Sequence, residues 1–169
     1  MKRIFLTLTV VSTFLLVASF VLGCEIGDIR NVSPLTRKLL SYHILISVAA
    51  LIFAALVHAV LLTYFMGTSR WLEEARQAYK FDAHWSEENR RLKYRAIPTM
   101  VLCLLLLISN IPLGAVASAK AHLVVAILTL AVNLAVNAME YSAIRRNGEL
   151  IAAVVGEVRR IRETLGLPV

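Results

Sequence analysis

Charge is the commodity this sequence has least of. Asp, Glu, Lys and Arg make up 17% of its 169 residues, against about a quarter in an ordinary soluble domain. The shortage is uneven. Four long apolar blocks hold no Asp, Lys or Arg, and their one acid is Glu140, near the end of the fourth. Together with a mean hydropathy of +0.72, this excludes a water-soluble globular domain. Blocks and connections use nearly the whole length, which excludes a separate catalytic domain as well. Cysteine is scarce too. Cys24 and Cys103 stand alone, with no CxxC and no Cys/His spacing of the zinc or iron–sulfur kind, and both read as packing thiols. The sequence also lacks a phosphate-cradling glycine loop, a GxSxG elbow and an HExxH pair, so no enzymatic activity is expected.

What is present is a plan for an all-α integral membrane protein with four transmembrane helices in a bundle, forming a single membrane domain. The spans read as 4–23, 39–66, 97–116 and 121–141, each near or above the roughly 20 residues that cross a bilayer core. Ser33-Pro34 is an N-cap followed by proline at the first helical position of the second span. Pro98 falls near the start of the third span, where a missing N–H costs little. Ser109-Asn110-Ile111-Pro112 predicts a kink near its far end. A short connection over 117–120 makes the last two spans a hairpin. A rival reading exists for the first span, because Val21-Leu22-Gly23-Cys24 is a loose lipobox that would make Cys24 a lipidated N-terminus. Leu22 stands where a small residue is usual, and the apolar run exceeds the h-region of a signal peptide. An uncleaved first span is therefore the expectation.

Orientation follows from the cations, 18 in all against 11 acids. With the N-terminus inside, fourteen of the 18 Lys and Arg fall on the cytoplasmic side and four outside (Arg30, Arg37, Lys38 and Lys120). The positive-inside rule then predicts an N-in, C-in topology. The net charge of +7 belongs to these cytoplasmic flanks facing anionic lipid, not to nucleic acid. Two cytoplasmic helical segments are expected. The loop 69–96 reads as two short helices broken at Phe81-Asp82, with Ser86 as an N-cap. The tail 147–165 carries Leu150, Ile151, Val154, Val155, Val158, Ile161 and Leu165 as an amphipathic stripe, suited to a partner subunit or the membrane surface.

Few residues could carry chemistry. Asn133, Asn137 and Glu140 follow one another at i, i+4 and i+7 with Thr129 a turn earlier, making one polar stripe on the fourth span. Such a stripe must face protein or water, because unpaired polar groups in hydrocarbon are costly. It reads as interhelical hydrogen bonding, or else as a quinone, cofactor or water path. Glu140 reads as an interfacial acid beside Arg145 and Arg146. His43 and His58 lie on one face of the second span, about 22 Å apart along its axis. His43 and His122 sit near the same end of neighbouring or facing helices. Two facing histidines suit a b-type haem, so His43, His122 and His58 are the candidate haem ligands. His58 has no histidine opposite it, only Met100 at comparable depth.

The leading functional expectation is a non-catalytic accessory subunit of a larger bacterial membrane complex, respiratory or photosynthetic, with a structural and docking role. Its partners would be the lipid bilayer and other membrane-protein subunits, and its place the bacterial cytoplasmic (inner) membrane. The alternatives are a haem b or quinone-binding electron-transfer subunit, and a small oligomeric channel or transporter.

Overall fold

Each apolar block becomes the heart of a longer helix. The computed structural model describes residues 1–26, 33–116 and 118–168. Its four helices are α1 (Lys2–Glu25), α2 (Pro34–Tyr79), α3 (His84–Val116) and α4 (Ala119–Thr164), and all four are long and apolar enough to cross a membrane. The described residues include no strand. Arg30, counted among the four outer cations, and Ala117, in the third-to-fourth connection, lie outside the described residues.

Local chemistry sets the helix ends. The hydroxyl of Ser33 accepts the N–H of Thr36 at 3.1 Å, with Pro34 first in the helix, as the sequence predicts. Ser118 caps α4 in the same way, accepting the N–H of Ala121. α2 stops where Lys80 turns left-handed (φ 55°) and its N–H reaches back to the carbonyl of Arg76. The next cap corrects the sequence reading. Asp82, not Ser86, accepts the first free N–H of α3, that of His84, at 2.7 Å, and Ser86 falls inside the first turn. α3 then runs on through both Pro98 and Pro112.

Two expected boundaries are absent. The loop 69–96 is not a pair of separate helices, since its halves are the continuations of α2 and α3 around the Lys80–Ala83 turn. The span 121–141 and the tail 147–165 are one helix. The Arg145-Arg146-Asn147-Gly148 run looks like an end but contains no proline, and one glycine costs only about 1 kcal/mol in a helix. The buried face of α4 continues across it in register through Glu140, Ile144, Asn147, Leu150 and Val154.

At about 1.5 Å per residue, α2 and α4, of 46 residues each, are about 69 Å long, and α1, of 24, only about 36 Å. α1 therefore ends partway along its neighbours, where Lys2 meets Tyr64 and Gly148. Beyond that level the bundle thins to a three-helix stalk. Its core is Leu72, Leu150 and Val154, with Phe81, Trp85, Ile151 and Val158 packed against them. The tail stripe is thus covered by the chain's own helices, while Val155 and Leu165 are exposed. Above the stalk, the outward faces are apolar all round. Phe14, Leu45, Ile52 and Val10 are each at least 60% exposed, a surface suited to hydrocarbon and not to water.

Candidate functional site

The apolar core of the four-helix part comes in two layers. Nearer the stalk, Phe5, Leu61, Phe65, Leu92 and Ile144 pack with Val57, Ala96 and Ala143. Farther out, Ala54, Leu107 and Val136 pack with Cys103. A polar level is held between them. Its centre is His58 of α2 and Glu140 of α4, 1% and 0% exposed, with the ring Nδ1 donating to Glu140 Oε1 at 2.7 Å. α2 comes this close because its facing residues one and two turns away are Ala50 and Ala54. The Cys103 thiol of α3 also lies beside the His58 ring.

The arrangement overturns the reading of Glu140 as an interfacial acid. At about 100° per residue, Arg145 and Arg146 stand well over 100° around the helix from Glu140, and both are exposed while Glu140 is buried. The acid is turned inward and takes His58 as its partner. His58, which lacked an opposite histidine, has an opposite carboxylate.

The rest of the polar stripe also faces inward. Asn137 donates to Asn133 Oδ1 at 2.9 Å, and Asn133 donates to Cys103 Sγ at 3.4 Å. One turn on, Asn110 of α3 donates to Thr129 Oγ1 at 2.6 Å and to the carbonyl of Leu106. Glu140 Oε2 and Asn137 Oδ1 at the centre have no hydrogen-bond partner among the described residues, and His58 Nε2 has nothing stronger beside it than the Cys103 thiol. Such orphans are rare in folded proteins and call for an explanation.

His43 and His122 do come together, ring centroids 6.4 Å apart and nearly perpendicular at 87°. Nδ1 of His43 donates to the carbonyl of Ser19 at 2.9 Å, and Ser47 donates to the His43 carbonyl at 2.6 Å. That bond leaves Nε2 of His43 with the free lone pair. The outer edges of both rings, however, rest on glycine backbone. A Cβ at Gly23 would lie 3.1 Å from His43 Cε1, and one at Gly114 would lie 3.3 Å from His122 Cε1. With each ring packed against a neighbouring helix at glycine, a porphyrin would have to part these contacts. Among the described residues, no group of three or more His, Cys, Asp or Glu is placed to hold a metal ion.

A second polar knot, at the head of the stalk, is not anticipated by the sequence reading. Buried Asn89 donates to Asn147 Oδ1 at 2.7 Å and to Thr68 Oγ1 at 3.1 Å, and accepts from Ser69. One signal was available, since Asn147 lies seven residues beyond Glu140 on the same face.

The central pair can hold a proton. With Nδ1–H bound to the carboxylate, the imidazole keeps one tautomer and presents Nε2 as the base. A proton taken up at Nε2 gives an imidazolium whose charge Glu140 balances in place. No family model matches the chain, and searches of curated proteins and of solved structures return no match.

Proposed function

We propose that the chain is a multi-pass membrane protein, both termini on the basic, cytoplasmic side, whose buried His58–Glu140 pair takes up and releases a proton within the membrane interior. One observation carries this reading: an imidazole and a carboxylate, both fully buried, joined at 2.7 Å with one free nitrogen and one free oxygen. Ionisable groups are expensive inside a bilayer and mark proton relays and transport paths. An open Oε2, and an Nε2 facing only the weak Cys103 thiol, leave the pair room to exchange a proton beyond joining two helices.

The apolar layer around Phe65 and Ile144 interrupts the polar path on the stalk side, so the pair alone is no transmembrane channel. A site of this kind needs a neighbouring reaction to use its proton. For that reason we keep the subunit of a larger membrane complex as its setting. The tail stripe does not support that setting, because it is covered within the chain.

The test is infrared difference spectroscopy of the reconstituted protein during a pH change. The proposal expects imidazole-ring bands of His58 that come and go reversibly, together with a shift of the Glu140 carboxylate stretch that is lost in Glu140→Gln. Bands that never change while the protein stays folded, or a carboxylate shift indifferent to Glu140→Gln, would refute it.

A further inference from the structure

Resting on that proton-handling reading, we propose that the His58–Glu140 pair is open to protons from one end of the bundle only, the end bearing Ser33 and Ser118. Thr9 and Ser12 of α1 complete its polar lining.

Helix register carries the lining. On α1 and α2, Ser19 meets Ser47 across a 2.6 Å hydrogen bond and Phe5 packs with Leu61. Two antiparallel helices in that register set Ser12 opposite Ala54, and Thr9 opposite Val57 and His58. On α1 and α4, Lys2 touches Gly148 and Phe5 packs with Ile144, which brings Thr9 level with Glu140 and Ser12 level with Asn137. Thr9 Oγ1 and Ser12 Oγ are buried without a hydrogen-bond partner, like His58 Nε2, Asn137 Oδ1 and Glu140 Oε2. Five such atoms on two adjacent levels, contributed by three helices, line one polar zone. Unsatisfied groups of this kind are met by water when the site is polar.

The two exits differ. Toward the Ser118 end, a polar group recurs at each turn. Asn137 leads to Asn133 with Cys103, then to Thr129 with Asn110. The offset of 82 residues that pairs His58 with Glu140 puts Ser47, and with it Ser19, level with Thr129. His43 and His122 follow at the end of the column. Toward the stalk, the next buried polar side chain on α4 is Asn147, seven residues and about 10.5 Å away. The interval is filled by Phe5, Leu61, Phe65, Leu92 and Ile144. Protons are therefore exchanged through the column and barred at the layer.

Cys103 lies on this path and reports on it. The only other cysteine is Cys24, so a Cys24→Ser protein reconstituted in vesicles carries a single thiol. The probe is a small, membrane-impermeant cationic methanethiosulfonate, added to one side at a time, with orientation read from protease access to the stalk. The expected result is modification of Cys103 from the Ser118 side and none from the stalk side. Replacing the barrier residue by Phe65→Ala should add reaction from the stalk side. Modification from the stalk side of the unaltered barrier, or from neither side, would overturn the proposal. The outcome is separable from the proton reading, because the His58 and Glu140 infrared bands are measured independently and can respond to pH whichever side the thiol answers to.

Discussion

Replacing His58 with leucine strips Glu140 of its only hydrogen bond among the described residues and leaves both carboxylate oxygens bare in a site that is 0% exposed. Removing one member of a buried pair costs about 3–5 kcal/mol when the remaining charge stays ionised. Glu140 can escape part of that by binding a proton, so the expected loss is about 2–4 kcal/mol, from the same range and the cost of an unsatisfied neutral group. Glu140→Gln is the mild counterpart. It keeps an acceptor for Nδ1–H and loses only the charge, so its cost should stay under about 1.7 kcal/mol, the upper end for hydrogen bonds measured inside a membrane protein. The double variant His58→Leu/Glu140→Met removes both polar partners and fills the space with apolar atoms. It should return to within about 1 kcal/mol of the parent, since apolar replacement of a whole buried pair is often neutral. Reversible unfolding by detergent titration reads all three against the parent. If His58→Leu costs no more than Glu140→Gln, or the double variant is as unstable as the single, the pair is not coupled as described.

Other outcomes follow from the same geometry. Asn89→Leu should cost about 1–3 kcal/mol in thermal unfolding, because Asn147 and Ser69 lose their buried partner. Val154→Asp buries a charge in the stalk core and should open the C-terminal end of α4 to protease, whereas Val155→Asp, at a position 43% exposed, should leave protease resistance unchanged. The carboxylate of Glu73 is held down at about 2, first by the guanidinium of Arg76 and then by the amide of Gln77. A lowered folded value means that its contribution is present above the ordinary 4.5 and is lost as pH falls toward 2. NMR titration of Glu73 should give the low midpoint, and an ordinary midpoint would contradict the contact. An impermeant label on intact cells should reach a cysteine at Ser118 but not one at Thr164, and reaction at Thr164 would reverse the proposed topology.

Much of the architecture was legible in the sequence because hydrophobic length is a local property. Four apolar blocks announce four long helices, Ser33-Pro34 announces a cap, and the spacing of Asn133, Asn137 and Glu140 announces one inward face. What escaped depends on distance in space. The partner of His58 lies 82 residues away, and only the packing register of α2 against α4 brings them level. Reading Glu140 by its sequence neighbours Arg145 and Arg146 gave the wrong environment, since helical rotation turns those cations to another face. The continuity of α4 was hidden for a related reason. Arg145 through Gly148 resembles an ending when read alone, but it is the passage from a four-helix to a three-helix core, where Lys2 and Tyr64 lie beside Gly148. Thr9 and Ser12 carried no local signal at all, being small polar residues in an otherwise apolar helix.

The central claim is that the His58–Glu140 pair exchanges a proton inside the bundle, and the ring nitrogens of His58 report on it most directly. Solid-state NMR of the protein in bilayers, with histidine labelled at nitrogen, resolves whether Nε2 carries a proton. The account predicts that Nδ1 stays protonated and bonded to Glu140 while Nε2 gains and loses its proton reversibly as pH is cycled. A His58 ring fixed in one protonation state at every pH at which the bundle stays folded would contradict it.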